Sequence, residues 1–431
     1  MSVDAGRMSF LELDQMVTAE VLPGTEDRSA MLAPRSMTFA PTPPLRPSNL
    51  EHHGIRNAWG TELPSLHDLR ARLDAEAPQK VDRLVPVRGV NLALDDRDNV
   101  ALNWPVSGGS ERWPMTSHAF AQLAGRSDVP NAAADWLAEK HPDLGVIAVN
   151  RQLERLTAKS PSAQLAIRGK ANGIHFVRAV LSDRYVPLDS DAVIGALDDL
   201  FGEQSVEARL GYLCWNGDAL RTVVVFPATM LDVGGDAGYY PAVIVRNNEV
   251  GGGSVEVQPG LLRDVCTNTV ISGWKAGIEA VRQRHVGNID VRRLKADIAG
   301  AVGESLKLTD DIMERLDQAR VVPIPDVASV IALLSRKYHL TQPQGASWYA
   351  GYREESLATP AAEGTVFGVV QGLARAARGQ RDDLRHDTEV LAGTLLGNRK
   401  QPEVAETWKI HVGRARDLER EEVHAYVGVG G

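Results

Sequence analysis

The sequence predicts an α+β protein in which an antiparallel sheet of successive β-hairpins packs with helices and precedes a helical C-terminal region. Two observations predict the sheet: Asn216-Gly217 and the glycine run 251–253 each separate two strand-like segments. Turns this short exclude the crossovers that a parallel sheet requires. A third observation predicts the helical region, because the apolar spacing after Thr267 is helical almost to the end of the chain.

Composition limits the classes of protein that this chain can represent. Its 431 residues, 43% of them apolar and 24% charged, are typical of a globular protein of about two to three domains. The formal charge of −9 gives no overall attraction to nucleic acid, so binding of that kind requires a local basic patch. No apolar run reaches the ~20 residues of a membrane span, and the first residues lack a signal-peptide pattern. We therefore expect a cytoplasmic protein without a membrane partner.

Changes in pattern along the chain predict four regions. They are an N-terminal helix and proline-rich arm (1–62), a small α/β subdomain (63–160), an antiparallel-sheet core with a basic helix (161–300) and a helical C-terminal region (301–431). In the first region, Phe10 to Val21 has helical spacing, whereas five prolines between Ala33 and Pro47 exclude a regular element. Both a disordered leader and a strap across a neighbouring subunit fit this arm.

The second region predicts helices and two strands. Pro64-Ser65 opens a helix that runs to Ala77, and Thr116 caps another. The remaining elements are strands at 84–94 and 100–104, joined by the turn Asp-Asp-Arg-Asp-Asn, and helices at 130–140 and 145–156.

The third region supplies the sheet core. Asp189 or Ser190 is placed to cap a helix that ends at Phe201. The predicted strands lie at 163–167, 174–181, 208–215, 219–226, 242–247 and 254–258, and a basic helix follows from Thr267 to His285. Further helices are predicted at 290–306, 310–320, 326–339, 364–378, 382–396 and 403–426.

The sequence carries no recognised catalytic motif. Gly169-Lys170 has Gln164 where a phosphate-binding loop needs glycine, and Ala171 where it needs Ser or Thr. The pair His52-His53 has no partner at ligand spacing, and Asp95, Asp96 and Asp98 have the pattern of a turn. Two distant cysteines predict neither a zinc site nor a disulfide framework. The sequence therefore predicts no enzyme, no cofactor and no metal.

Positive charge concentrates between Leu261 and Lys295. Seven Lys or Arg residues stand there against three acids, which gives a local charge of +4 in a chain of −9. A cationic surface contacts phosphates without reading sequence. The candidate nucleic-acid-binding residues are Arg263, Lys275, Arg282, Arg284, His285, Arg292 and Arg293. A solvated helix face is the competing interpretation.

Three segments carry a resemblance to a known family. They are Leu181 to Leu197 (LSDRYVPLDSDAVIGAL), the Arg-x-Val-Cys-x-Asn-Thr run at Arg263 to Thr269, and the RHVGN run at Arg284 to Asn288. With their order and spacing, they resemble a family of phage- and plasmid-associated proteins known as domain of unknown function 932. The resemblance covers about 116–390 and implies a phage or mobile-element setting, but no activity.

The order helix, hairpin, hairpin, basic helix also resembles, at the level of topology alone, the core of Rad52-type single-strand annealing proteins. This resemblance implies a homo-oligomer that binds single-stranded DNA in recombination or replication. Two other hypotheses stay open. One is a non-enzymatic structural or protein-interaction protein, such as a phage assembly component or a host-defence antagonist, and the other is a metal-dependent nuclease.

Overall fold

The computed structural model describes residues 65–427 except 97–98, 107, 173, 205, 227–230, 233–237, 264–268, 272–280, 288–290, 379, 381 and 398–401. The predictions for the N-terminal arm and for Lys275 lie outside these residues. Within them, the predicted α+β class is confirmed, with antiparallel sheets made of hairpin strands and a helical C-terminal region.

The described residues form twelve α-helices. They are α1 (Leu66–Glu76), α2 (Ser117–Arg126), α3 (Asn131–Lys140), α4 (Pro142–Lys159), α5 (Ser190–Glu203), α6 (Val291–Val321), α7 (Val327–Lys337), α8 (Gln342–Ala358), α9 (Val366–Ala377), α10 (Asp382–Leu396), α11 (Val404–Ala415) and α12 (Arg420–Val427). The predicted cap at Thr116 is confirmed, because its side chain accepts a hydrogen bond from the Ala119 N–H.

The same residues form thirteen strands. They are β1 (Lys80–Pro86), β2 (Asn91–Leu94), β3 (Val100–Val106), β4 (Gly109–Pro114), β5 (Gln164–Asn172), β6 (Ile174–Ser182), β7 (Arg209–Trp215), β8 (Ala219–Val225), β9 (Leu231–Asp232), β10 (Gly238–Asn248), β11 (Val255–Arg263), β12 (Thr269–Ile271) and β13 (Val281–Gln283).

Three antiparallel sheets result. The main sheet has the order β12-β11-β10-β8-β7, with β13 paired to β11 and β9 to β10. A second sheet has the order β1-β5-β6, and a third has β2-β3-β4. Helices α1, α5 and α6 cover one face of the main sheet with an apolar core, and the C-terminal helices form another apolar core around Trp348, Phe367 and Trp408.

Both predicted hairpins are present. The glycine-turn hairpin is longer than expected, because β10 and β11 pair from Tyr239 with Arg263 to Arg246 with Glu256. Asn-Gly pairs favour type I′ turns, which need positive φ at both central residues, but at the first hairpin only Gly217 has positive φ, so the turn is of another kind. Asn216 instead accepts hydrogen bonds from the N–H groups of Asp218 and Ala219, which closes a three-residue loop.

The predicted basic helix from Thr267 to His285 is wrong at both described ends. Residues 269–271 and 281–283 are strands β12 and β13, which pair with opposite ends of β11. Val281 is buried while Arg282 is exposed, which is the period of two that a half-buried strand shows. Pairing with the edge of β11 decides the structure here and outweighs the helical spacing of the apolar residues.

Smaller departures have local causes. The predicted strand 84–94 divides into β1 and β2, because Gly89 takes positive φ between them. Helix α8 was not predicted, because it contains two glycines and its apolar residues are not concentrated on one face. Thr341 and Gln344 nevertheless form a capping box at its start. The two helices predicted at 290–306 and 310–320 are one continuous helix, α6.

Candidate functional site: a buried charge cluster beneath exposed arginines

Two of the sequence segments that carry the family resemblance lie side by side. Tyr185 and Val286 form an antiparallel bridge, and the Val186 N–H donates to the His285 carbonyl at 2.9 Å. The rings of Tyr185 and His285 stack with their centroids 5.2 Å apart and an interplanar angle of 8°. Segments about 100 residues apart in sequence are therefore joined by backbone and ring contacts.

Beneath this junction lies a group of charged side chains that we call the buried charge cluster. Its members are Lys80, Asp82, Arg168, Arg178, Asp189, Asp191, Asp218 and Glu249. They come from the second sheet, from the start of α5, from the loop that follows β7 and from the end of β10. The cluster therefore connects the second sheet to the main sheet.

A β-bulge helps to place the arginines. Arg168 pairs with Ala179 whereas Gly169 pairs with Val177, so Arg178 is the extra residue on β6. A bulge of this kind redirects the side chain of the extra residue. Arg178 consequently points away from the core that contains Val177 and is only 1% exposed.

Arg168 joins three parts of the cluster. Its guanidinium forms a bidentate pair with Asp82, at 2.8 and 3.1 Å, and contacts Asp189 at 2.8 Å. The same group donates to the Glu249 carbonyl at 2.6 Å and to the Tyr185 hydroxyl at 3.2 Å. One buried side chain thus holds β1, α5 and the end of β10 together.

Glu249 is 1% exposed and accepts hydrogen bonds from two strands of the second sheet, β1 and β6, and from helix α5. Its carboxylate contacts Lys80 Nζ at 2.9 Å and Arg178 Nη2 at 3.0 Å. It also accepts the Ser190 N–H at 2.8 Å, which satisfies a free donor in the first turn of α5. Asp189, at the N-cap position, makes no side-chain cap hydrogen bond because its carboxylate faces Arg168. A residue 59 positions away in sequence therefore caps the helix.

Three carboxylates in the cluster have the spacing of metal ligands. Oxygens of Asp189, Asp191 and Glu249 lie within 4.8 Å of one another. Lys80 Nζ lies 3.5, 3.1 and 2.9 Å from these three groups, respectively. The lysine ammonium therefore stands where a divalent cation would, and the geometry is that of an internal ion network.

Burial and neighbouring charges shift the ionisation of the site. Burial raises the pKa of Glu249, but Arg178 and Lys80 outweigh it and lower that pKa to about 2. Burial and then the Glu249 charge raise the pKa of Asp189. Burial, which outweighs the opposing effect of Arg168, raises the pKa of the Tyr185 hydroxyl to about 12. Glu249 is therefore the charged anchor of the cluster and Tyr185 is a neutral donor at physiological pH.

The predicted phosphate contacts separate into buried and exposed groups. Arg263 and His285 are 2% and 4% exposed, which corrects their assignment as surface contacts. Arg263 pairs with Glu355, and His285 Nε2 donates to the Asn247 side-chain oxygen at 3.1 Å. Arg282, Arg284 and Arg293 are exposed. Arg292 lies in α6, and its side chain is not described.

The bridge between Tyr185 and Val286 brings one more arginine to the exposed group. Arg184 precedes Tyr185, is exposed, and lies on the segment that pairs with the one carrying Arg284. We call Arg184, Arg282 and Arg284 the arginine ridge. In the described part of the chain, neither Arg184 nor Arg284 forms an ion pair, whereas Arg282 Nε lies 3.4 Å from Glu256.

Sequence reasoning missed the cations of the cluster. Lys80, Arg168 and Arg178 lie 169, 81 and 71 residues from Glu249, so no local spacing connects them. A signal was nevertheless present: Arg168 directly follows the apolar run Leu-Ala-Ile, and Arg178 lies between Phe-Val and Ala-Val. A charged residue inside an apolar strand indicates a buried ion pair, because an unpaired buried charge is too costly to retain.

These features define an α+β protein whose hairpin sheet is joined to a second sheet by a buried charge cluster. The family model described as Domain of unknown function (DUF932) matches residues 177–397, just over half of the chain. The chain belongs to this family. The match begins later than the resemblance found in the sequence, so it contains Arg178, Glu249 and His285 but excludes Lys80 and Arg168. No curated protein and no solved structure matches the chain. Among the described residues, no helix combines the length and the apolar character that crossing a membrane requires.

His285 should make stability depend on pH. Burial, and then Arg168, lower its pKa from 6.5 to about 4. The unfolded chain therefore binds a proton below pH 6.5 that the folded chain excludes, and stability is lost as pH falls from 6.5 towards 4. His285→Gln removes this pH-dependent loss of stability, but it also removes side-chain contacts that stabilise the folded protein. We expect urea denaturation to show a stability deficit of the variant that is largest at pH 7.5 and smaller at pH 5. An equal deficit at both pH values contradicts the prediction.

Proposed function

We propose that this protein binds single-stranded DNA through the arginine ridge and acts as a binding protein, not as an enzyme. The observation that carries the proposal is the antiparallel pairing of two segments that present Arg184 and Arg284 to solvent. Exposed guanidinium groups are suited to phosphates because they offer several donors in a fixed plane. Binding of this kind is independent of base sequence and sensitive to salt.

The support beneath the ridge favours binding in a defined geometry. Tyr185 and His285, which adjoin two ridge arginines, point inward and stack on each other. The Tyr185 hydroxyl donates to the Glu249 carbonyl, and His285 Nε2 contacts the Asn247 side chain. Buried groups therefore fix the backbone beneath the ridge. A fixed cationic surface loses little conformational freedom when it binds. We propose self-association and a role in recombination or replication of a phage or mobile element as the setting of this activity.

A double substitution tests the ridge. We expect Arg184→Ala with Arg284→Ala to weaken binding of a labelled oligo-dT, measured by fluorescence anisotropy at low and near-physiological salt. Loss of two phosphate contacts should make the slope of log affinity against log salt less steep by about 1.4, since each contact on a single strand contributes ~0.7. The matched control is Arg414→Ala with Arg416→Ala, which removes two exposed arginines near the end of α11, outside the family match.

Two different results would reject the ridge as the contact surface and DNA binding as the activity. If the ridge variant is folded and binds as the control does, the ridge is not the contact surface. If the unsubstituted protein binds neither single- nor double-stranded oligonucleotides at low salt, the proposal of DNA binding fails.

One observation favours a second candidate function, a protein-interaction role. Leu84 and Val286 are 54% and 48% exposed. Leu84 is opposite Ala166, both Ala166 and Tyr185 pack against the cluster of Ala179, Leu181 and Val250, and Val286 pairs with Tyr185. Exposed apolar side chains near one another are typical of protein contact surfaces. Leu84→Asp should abolish such a contact without changing the salt dependence of DNA binding.

A further inference from the structure

A row of charged residues crosses the main sheet close to the ridge. Arg246 on β10 is opposite Arg221 on β8 and also opposite Glu256 on β11, and Glu256 is opposite Arg282 on β13. Residues directly opposite each other in a sheet project from the same face. Three arginines and one glutamate therefore form a continuous row, which includes Arg282 of the ridge.

Several donors surround the Glu256 carboxylate. Arg246 Nη1, Arg282 Nε and His386 Nε2 lie 3.5, 3.4 and 3.9 Å from its oxygens. Charge-assisted hydrogen bonds are usually about 2.7 to 2.9 Å long, so the carboxylate contacts these three groups loosely, and its shorter contact is to the Ser254 hydroxyl, which donates to it at 3.1 Å. A phosphate group is larger and has more acceptor oxygens. It would reach these donors better than the carboxylate does.

The positive charge behind Glu256 extends into the protein. Arg221 and Arg385 both pair with Glu389, and both guanidinium groups lie over the Tyr212 ring. Burial, followed by the charges of Arg246 and Arg221, lowers the pKa of His386 well below its usual value. His386 is therefore a neutral group in a region of positive potential, which favours an anion.

Two buried side chains near Glu256, Gln258 and His386, also carry polar atoms without a hydrogen-bond partner among the described residues. Gln258 is 1% exposed and lies two residues further along β11, on the same face of the sheet as Glu256. In the described part of the chain, neither polar atom of its amide has a hydrogen-bond partner, and the same is true of His386 Nδ1. Leaving such atoms unsatisfied destabilises the fold, so a polar ligand at this place is favoured.

We propose that Arg246, Arg282 and His386 form a phosphate-binding site and that Glu256 is a resident anion which a phosphate group of single-stranded DNA displaces. The inference rests on the proposed function and assigns Glu256 an autoinhibitory role within it. Side-chain exposure decreases from 56% at Arg282 to 30% at Arg246 and 3% at Arg221, so the row opens to solvent at the end that it shares with the ridge.

Glu256→Gln tests the inference. Removing the competing charge should strengthen oligo-dT binding about tenfold in anisotropy titrations and make the salt slope steeper by about 0.7, the contribution of one added phosphate contact on a single strand. The matched control is Glu354→Gln, because Glu354 also pairs with an arginine, Arg375 at 2.8 Å, and its loss changes the net charge equally. Adding Arg246→Gln to the Glu256→Gln variant should cancel the gain.

A second measurement does not depend on DNA. Inorganic phosphate should raise the melting temperature of Glu256→Gln and not that of Glu354→Gln, because a ligand stabilises only the folded form that binds it. If Glu256→Gln and Glu354→Gln bind DNA equally and respond equally to phosphate, the inference is overturned while binding through the ridge stands. If no variant and no unsubstituted protein binds DNA, the proposed function fails. A phosphate response of Glu256→Gln would then still support the anion site itself.

Discussion

Replacing Glu249 by Gln is expected to destabilise the protein by about 3 to 5 kcal/mol, the range seen when one member of a buried ion pair is removed. The substitution preserves shape and leaves one oxygen to accept the Ser190 N–H. It also removes the charge that neutralises Lys80 and Arg178, which are 6% and 1% exposed, and it places an amide N–H group against one of them. Lys80 keeps Asp189 and Asp191 and Arg178 keeps Asp218, but these carboxylates are more exposed than Glu249, so the most buried part of the compensating negative charge is lost.

Urea denaturation at pH 7.5 measures this effect. The control is Glu406→Gln, which removes an exposed glutamate from α11 and should change stability by less than about 0.5 kcal/mol. Similar denaturation midpoints for the two variants would show that the cluster contributes little to folding. They would also remove the argument that it fixes the backbone beneath the ridge.

The parts of the fold that sequence could predict are those with local causes. Gly217 and Gly251 mark the two hairpins, because positive φ is a property of the turn residue itself. Thr116 marks a helix start for a similar reason, since its hydroxyl accepts from the N–H three residues later. Such signals need no knowledge of what the element packs against.

The parts that sequence could not predict depend on distant partners. Residues 281–283 lie in a stretch whose apolar residues have helical spacing, yet they form a strand because they pair with the edge of β11. For the site, the three resemblance segments were identified, but nothing in their spacing showed that Tyr185 and His285 stack. Arg284 is exposed, as a surface contact requires, whereas the burial of Arg263 depends on Glu355, 92 residues away.

Arg263 supplies the second large prediction. It is enclosed between the end of β11 and the end of α8, where it pairs with Glu355 and donates to the Thr359 hydroxyl at 3.0 Å. Arg263→Ala removes the closest cation from a carboxylate that is 1% exposed. Arg375, 3.3 Å from Glu355 and only partly buried, retains some compensation. We therefore expect a loss near the lower end of the buried-pair range, about 3 kcal/mol in urea denaturation.

The same substitution distinguishes a structural arginine from a phosphate contact. Under conditions where Arg263→Ala remains folded, its affinity for oligo-dT and its salt slope should equal those of the unsubstituted protein, because the guanidinium does not reach solvent. A folded variant with a shallower salt slope would return Arg263 to the list of DNA contacts. Its burial would then have to be relieved by a rearrangement of α8.

Removing both partners distinguishes the destabilisation caused by an unpaired buried charge from the net contribution of the ion pair to stability. Arg263→Met combined with Glu355→Leu replaces two buried charges by apolar side chains of similar length, and such replacements are often neutral or stabilising. We expect the double variant to be more stable than Arg263→Ala and to approach the unsubstituted protein. If it is as unstable as Arg263→Ala, the pair has a favourable interaction that apolar packing cannot replace. The polar contact to Thr359 would then be the first group to examine, because the double variant leaves its hydroxyl without Arg263 and Glu355.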